Sequence, residues 1–245
     1  MSAEEATLDE KATEFADTLT ALTRGVLGQD SPAFSALNVG NRIRVAPLAG
    51  DGRSMRIPVK IDGVRCLNLH VQHFCCWDGT KKYLAADRAD VHVFFEGVQD
   101  PLLRYEYLRY SKNPPGAHLQ VHAHRDEMAY LLRLAEKKKG RPAAMMRKGK
   151  PPRLAEMHFP VGGHRLRPAL EDVLLLLERE FAIDVADNWR EILDVQLRKW
   201  RVLQLKAAVR DAHEDAAETL REIGYVVEPP EDLEPQRDDA RLFWP

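Results

Sequence analysis

Near the start of the chain the apolar positions Leu8, Ala12, Phe15, Leu19, Leu22 and Val26 recur at alternating spacings of four and three residues. That period puts them on one stripe of a helix. Gly25 and Gly28 fall at its end, where glycine readily closes a helix. One amphipathic helix does not hold itself together in water, so the stripe must dock on the body of the chain or on a partner. Residues 30–40, with Ser31-Pro32 and Asn38-Val39-Gly40, read as a linker.

From Arg42 to Tyr110 the period changes to two. Candidate strands are Arg42–Leu48, Met55–Ile61, Arg65–Cys75, Lys81–Ala86, Asp90–Glu96 and Leu102–Tyr110. Short turn signals such as Asp62-Gly63, Asp78-Gly79 and Asn113-Pro114-Pro115-Gly116 separate them, which argues for an antiparallel meander. A strand follows over Ala117–Ala123, then a helix from about Arg125 to Lys138, a basic loop, and a strand over Leu154–Phe159. Helical periodicity returns over Pro168–Phe181, Asn188–Arg210 and Glu214–Ile223. The expected fold is α+β: an antiparallel sheet of six to eight strands with helices on one face, plus amphipathic helices at both ends. The chain divides into an N-terminal helix (1–28), a core domain (40–183), C-terminal helices (187–224) packed on the core or on a partner, and an acidic, proline-rich loose tail (228–245).

Composition narrows the class. In 245 residues, 44% are hydrophobic and 30% charged, which excludes a wholly disordered chain. No apolar run is long enough to span a membrane, and the acidic start Met1–Glu10 does not resemble a secretory signal. The three cysteines, Cys66, Cys75 and Cys76, are odd in number and two are adjacent, so a reducing cytoplasm and buried thiols are expected rather than a disulfide framework. A net charge of −2 excludes a global basic field, so any nucleic-acid contact must come from a local patch.

The chemistry concentrates on one strand face. Side chains alternate along a strand. Leu67, Leu69 and Val71 therefore oppose Asn68, His70 and Gln72, and Val91, Val93 and Phe95 oppose His92 and Glu96. Leu119 and Val121 oppose His118, Gln120, His122 and His124, and Met157 and Phe159 oppose Glu156 and His158. With Leu103, Tyr105 and Tyr107 facing the core, Arg104 and Glu106 join the polar side. Six of nine histidines share this parity. Two histidines near neutral pH can act as base and acid, and an arginine can stabilise a developing phosphorane, as RNA cleavage by its own 2′-hydroxyl requires. The candidate catalytic residues are His122, His124, His118, Arg104, Glu106 and His158, with His92 in support. The alternative needs a cofactor: one divalent metal such as Zn or Mn on His122, His124 and Glu127.

Two basic features could meet a phosphate backbone. Lys137, Lys138, Lys139, Arg141, Arg147, Lys148, Lys150 and Arg153 place eight positive charges in seventeen residues with no acid among them. Gly162-Gly163, followed by Arg165 and Arg167 before a helix, allows either a simple tight turn or an anion site.

Two resemblances accompany these readings. Gly116, His122-Ala123-His124 and Pro160-Val161-Gly162-Gly163-His164 resemble the two halves of a cupin motif, which implies a metal held by the histidines and Glu127. A helix and a basic loop separate the halves here, where a cupin has strands. The run Asp90–Asp184, with Tyr105-Glu106-Tyr107 and then His122-Ala123-His124, is similar to the TumE-like toxins of toxin–antitoxin systems. That resemblance implies RNA cleavage or translation inhibition and a cognate antitoxin. The expected function is therefore a cytoplasmic, toxin-like or defence-associated ribonuclease with RNA as partner. The alternatives are a metal-dependent enzyme on the same face, and a non-catalytic interaction module or homodimer built through the terminal helices, with no membrane partner.

Overall fold

The computed structural model of the chain describes residues 6–111, 114–122, 149, 159–160, 165 and 167–229. Helix α1 (Leu8–Leu27) is followed by strands β1 (Phe34–Val39), β2 (Arg42–Pro47), β3 (Ile57–Ile61), β4 (Val64–Trp77), β5 (Leu84–Phe95), β6 (Pro101–Leu108), β7 (Ala117–Val121) and β8 (Phe159–Pro160). Helices α2 (Leu170–Phe181), α3 (Trp189–Asp211) and α4 (His213–Glu222) follow. The architecture is α+β, with every described strand pairing antiparallel. The order is β1-β2-β4-β5-β6-β7-β8, and β3 also pairs with β4. No described helix is long and apolar enough to cross a membrane.

The fourteen-residue β4 organises the sheet. One of its edges carries β2 through Ile43↔Cys75 to Val45↔His73, and farther along it carries β3 through Ile57↔Leu69 to Ile61↔Val64. Its other edge pairs with β5 from Leu67↔Phe95 to Trp77↔Leu84. The β3–β4 turn is the Asp-Gly pair seen in the sequence, with φ of 51° at Asp62 and 76° at Gly63. The Asp184 carboxylate accepts from both turn amides, at 2.9 and 2.7 Å, and so ties the hairpin to the chain that leaves α2.

Helices cover one face of the sheet. Ala12, Ala16, Leu19, Leu22 and Val26 of α1 join Leu69, Val71, Val91 and Val93 of the sheet and Val173, Leu174, Leu177, Leu193 and Leu197 of α2 and α3 in a single core. Each such aliphatic side chain contributes about 1.5–3 kcal/mol on full burial. Thr7 and Glu10 form a reciprocal capping box at the start of α1. Gly28, at φ 105°, closes the helix. Gly25 has another use: a Cβ built on it would lie 2.7 Å from Cδ1 of Ile192, so its missing side chain lets α1 and α3 approach.

Several expectations change. Residues 34–39 are not linker but an edge strand, paired with β2 from Phe34↔Pro47 to Val39↔Arg42. The Phe34 amide donates to Thr20 Oγ1 at 2.8 Å, which anchors the strand to α1. The two strands expected at Lys81–Ala86 and Asp90–Glu96 are one strand, β5. Its polar middle continues the ladder because the buried Asp90 finds partners in Gln72 and Arg88, as described below. Phe95 does not enter the core. It sits at the strand end, 50% exposed. Phe94, on the His92 face, is buried, with the Arg56 guanidinium 3.7 Å from its ring centroid. Cys75 is buried, and all three cysteines are free. The helix expected near 125–138 and residues 154–158 of the expected strand lie outside the described residues, as does the tail beyond Pro229.

Gly25→Val should lower stability by about 1–3 kcal/mol through overpacking against Ile192. In chemical denaturation, Ile192→Ala in the same chain should recover part of that loss, giving a non-additive double-mutant cycle.

Candidate functional site

The pairing register converts strand parity into a surface. His70 of β4 lies opposite His92 of β5, His92 opposite Arg104 of β6, and Arg104 opposite Gln120 of β7. One step along, Gln72, Asp90, Glu106 and His118 form a second row across the same four strands. The histidines of β4, β5 and β7 therefore converge because their strands are adjacent in the sheet. Ring centroids of His70 and His92 are 5.7 Å apart.

Glu106 is the hub. Its two carboxylate oxygens accept from His92 Nε2 at 2.8 Å and His118 Nε2 at 3.1 Å. The other ring nitrogen of His118, Nδ1, donates to the Pro115 carbonyl at 2.8 Å. Both nitrogens of this fully buried ring thus face oxygen acceptors. Burial alone would raise the Glu106 carboxyl, but hydrogen bonds and charge from His118 and His92 overcome it and hold the group well below the usual carboxylate range. The Pro114-Pro115 turn read from the sequence therefore supplies the acceptor that orients His118.

Asp90 is buried beside this hub. It accepts from Gln72 Nε2 at 2.7 Å and from Arg88 Nε at 2.7 Å. Sequence reading passed over Asp90, although its place two residues before His92 on one strand was the available signal. Ligand atoms of Asp90, His92 and Glu106 lie within 4.8 Å of one another. Of the cluster expected from His122, His124 and Glu127, only His122 is described. The lone pairs of the Asp90, His92 and Glu106 cluster already face Arg88, Gln72 and two imidazoles. A cation entering it would displace an arginine and a histidine proton, so the donor set is neutralised from within.

At the end of β7 the chain backbone of His122 donates to the Leu102 carbonyl at 2.9 Å. Its side chain lies in the field of Arg104, Asp100, His92 and Glu106. Burial first, then the Arg104 charge, lower its pKa from the ordinary 6.5. Among the described residues, His122 Nε2 and Arg104 Nε are buried without a hydrogen-bond partner. Candidates His124, His158 and Glu127 and the basic residues Lys137, Lys138, Lys139, Arg141, Arg147, Lys148, Lys150 and Arg153 lie outside the described residues.

His73, Arg165 and Arg167 have partners within the fold. His73 follows the opposite parity from His70. It lies under the helices, edge-on to Phe15 with centroids 5.1 Å apart, and burial pushes its pKa down to about 4. Arg165 and Arg167, which the sequence left to either a simple tight turn or an anion site, are both engaged within the chain, while Gly162 and Gly163 lie outside the described residues. Arg165 pairs with Asp211, with Nη2 at 2.9 Å from Oδ1. Arg167 is half-buried over Tyr107, 4.0 Å from its centroid, and 5.0 Å from that of Trp200. No protein-family model, curated protein or solved structure matches the chain.

Glu106→Gln should destabilise the protein by about 1.5–3 kcal/mol at neutral pH, because one histidine then faces an amide donor. The depressed carboxyl contributes stability that is complete above its ordinary value of 4.5 and is lost as pH falls below it. Acid titration of unfolding should therefore show a shallower loss below that pH in the variant than in the parent.

Proposed function

We propose that the chain is a toxin-like ribonuclease that cleaves RNA by histidine acid–base chemistry, without a metal in the reacting centre. The observation that carries this reading is the buried, unpartnered Nε2 of His122 beside the unpartnered Nε of Arg104. A general base needs an open lone pair, and a ring held in its neutral form near pH 7 has one. The site's other imidazoles are committed. His118 has both nitrogens engaged, and His92 gives Nε2 to Glu106.

In this mechanism His122 Nε2 takes the proton from a ribose 2′-hydroxyl as its oxygen attacks phosphorus. Arg104 meets the negative charge that builds on the phosphoryl oxygens. The bond to the 5′-oxygen breaks, and His124, as imidazolium, protonates that leaving group. The products are a 2′,3′-cyclic phosphate and a 5′-hydroxyl. His92, Glu106 and His118 are positioning residues that hold β5, β6 and β7 in register under the reacting pair. The basic run Lys137–Arg153 would hold the flanking backbone, and the likeness of the central region to TumE-like toxins points the same way. The neutralised state of the Asp90, His92 and Glu106 cluster favours this reading over a metal-dependent enzyme on the same face.

The double variant His122→Ala and His124→Ala should lose RNA cleavage by about 100-fold or more while keeping the parent's circular dichroism and melting temperature. Cleavage by the parent should survive chelation, leave cyclic phosphate ends, and show its basic-group limb below pH 6.5, the direction in which the His122 pKa is moved. Undiminished cleavage by the folded double variant, or a strict need for added divalent metal, overturns the proposal.

A further inference from the structure

Beyond Leu197, α3 meets the rest of the chain at Trp200, packed on the core, at Arg210, 4.4 Å from the Tyr83 ring centroid, and at Asp211, paired with Arg165. Between Leu197 and Asp211 no residue of α3 is buried, and α4 buries none. Their apolar side chains nevertheless form faces. Val195, Val202 and Val209 repeat at every seventh residue of α3 with Leu205 beside them, and they are 53%, 40%, 43% and 60% exposed. Leu220 of α4 and Ile223, just past its end, are 37% and 67% exposed. β-Branched residues at a seven-residue repeat with leucine on the same face are the seam of paired helices. Short helices with such exposure gain little stability on their own.

The two helices cannot cover each other within one chain. Ala212 alone separates them, whereas a hairpin of two helices takes a loop of about 2–5 residues. Their charges, however, are opposite. From Arg198 to Arg210, α3 carries five lysines and arginines and no acid. Helix α4 carries Glu214, Asp215, Glu218 and Glu222 against a single Arg221.

We propose that two copies of this chain pair about a two-fold axis, with the basic α3 of each copy seated on the acidic α4 of the other. Each copy owns one helix of either sign, so the two contacts are equivalent and the assembly closes as a dimer. The apolar faces supply the buried seam, and the flanking charges set which helix meets which. This surface lies apart from the histidine face and stands or falls independently of the ribonuclease reading.

Sedimentation equilibrium of the full chain should show a dimer. Val202→Glu with Leu205→Glu should weaken it by roughly tenfold or more while leaving the circular dichroism of the folded chain unchanged, since both positions are exposed in the single chain. Charge reversal separates this pairing from any other. Lys199→Glu with Lys206→Glu, and separately Glu218→Lys with Glu222→Lys, should each give monomers, and an equimolar mixture of the two should restore a mixed dimer in which both contacts are again complementary. A monomeric parent chain overturns the proposal, including one that captures an added acidic helix instead. So does a dimer that persists in either charge-reversed variant, or a mixture of the two that stays monomeric.

Discussion

The Glu106 carboxylate sits between imidazoles from two neighbouring strands, and the candidate site depends on that sharing. Three polar groups from β5, β6 and β7 would each resist burial singly. Joined, they satisfy one another, and the Pro115 carbonyl completes the chain of bonds. The result is a polar layer on the sheet that is ordered by its own hydrogen bonds, while the opposite face is ordered by packing under three helices. The same pleat serves both, since each strand alternates between them.

This arrangement assigns different tasks to chemically similar side chains. His73 and His70 are three residues apart on β4, yet one lies against Phe15 of α1 and the other beside His92 on the polar layer. His118 has no nitrogen left to offer a substrate, whereas His122 does. Arg88 and Arg104 are on neighbouring strands of the same face, but Arg88 neutralises Asp90 and Arg104 keeps Nε unpartnered. Counting histidines would not separate these roles. The hydrogen-bond partners do.

Strand alternation made the polar face legible in the sequence, because every histidine on it obeys the parity of an apolar neighbour such as Leu69, Val93 or Leu119. Strand order was not legible, and convergence follows only from β4, β5, β6 and β7 lying side by side. The strand β1 was missed because Pro32 and Gly40 bracket it and its alternation is weak, with Leu37 and Val39 exposed on the edge strand. The unbroken β5 was missed because Asp87, Arg88 and Asp90 look like a break until their cross-strand partners are known. For the same reason Asp90 was overlooked: its burial rests on Gln72 and Arg88, and no local pattern announces that pairing. The engagement of Arg165 with Asp211, far along the chain, was equally beyond reach of local spacing.

The close approach of α1 and α3 at Gly25 and Ile192 has a consequence for how the chain is made. The first helix emerges from the ribosome long before the helix that completes its cover. At synthesis rates of about 5–20 residues per second, its apolar stripe waits on the order of ten seconds for α3. Meanwhile β1 and β2, which follow at once, can shield part of it, and the Thr20 hydroxyl already has the Phe34 amide within reach. The N-terminal helix with its first hairpin is thus the local contact available to cover that stripe while the polar layer is still unmade.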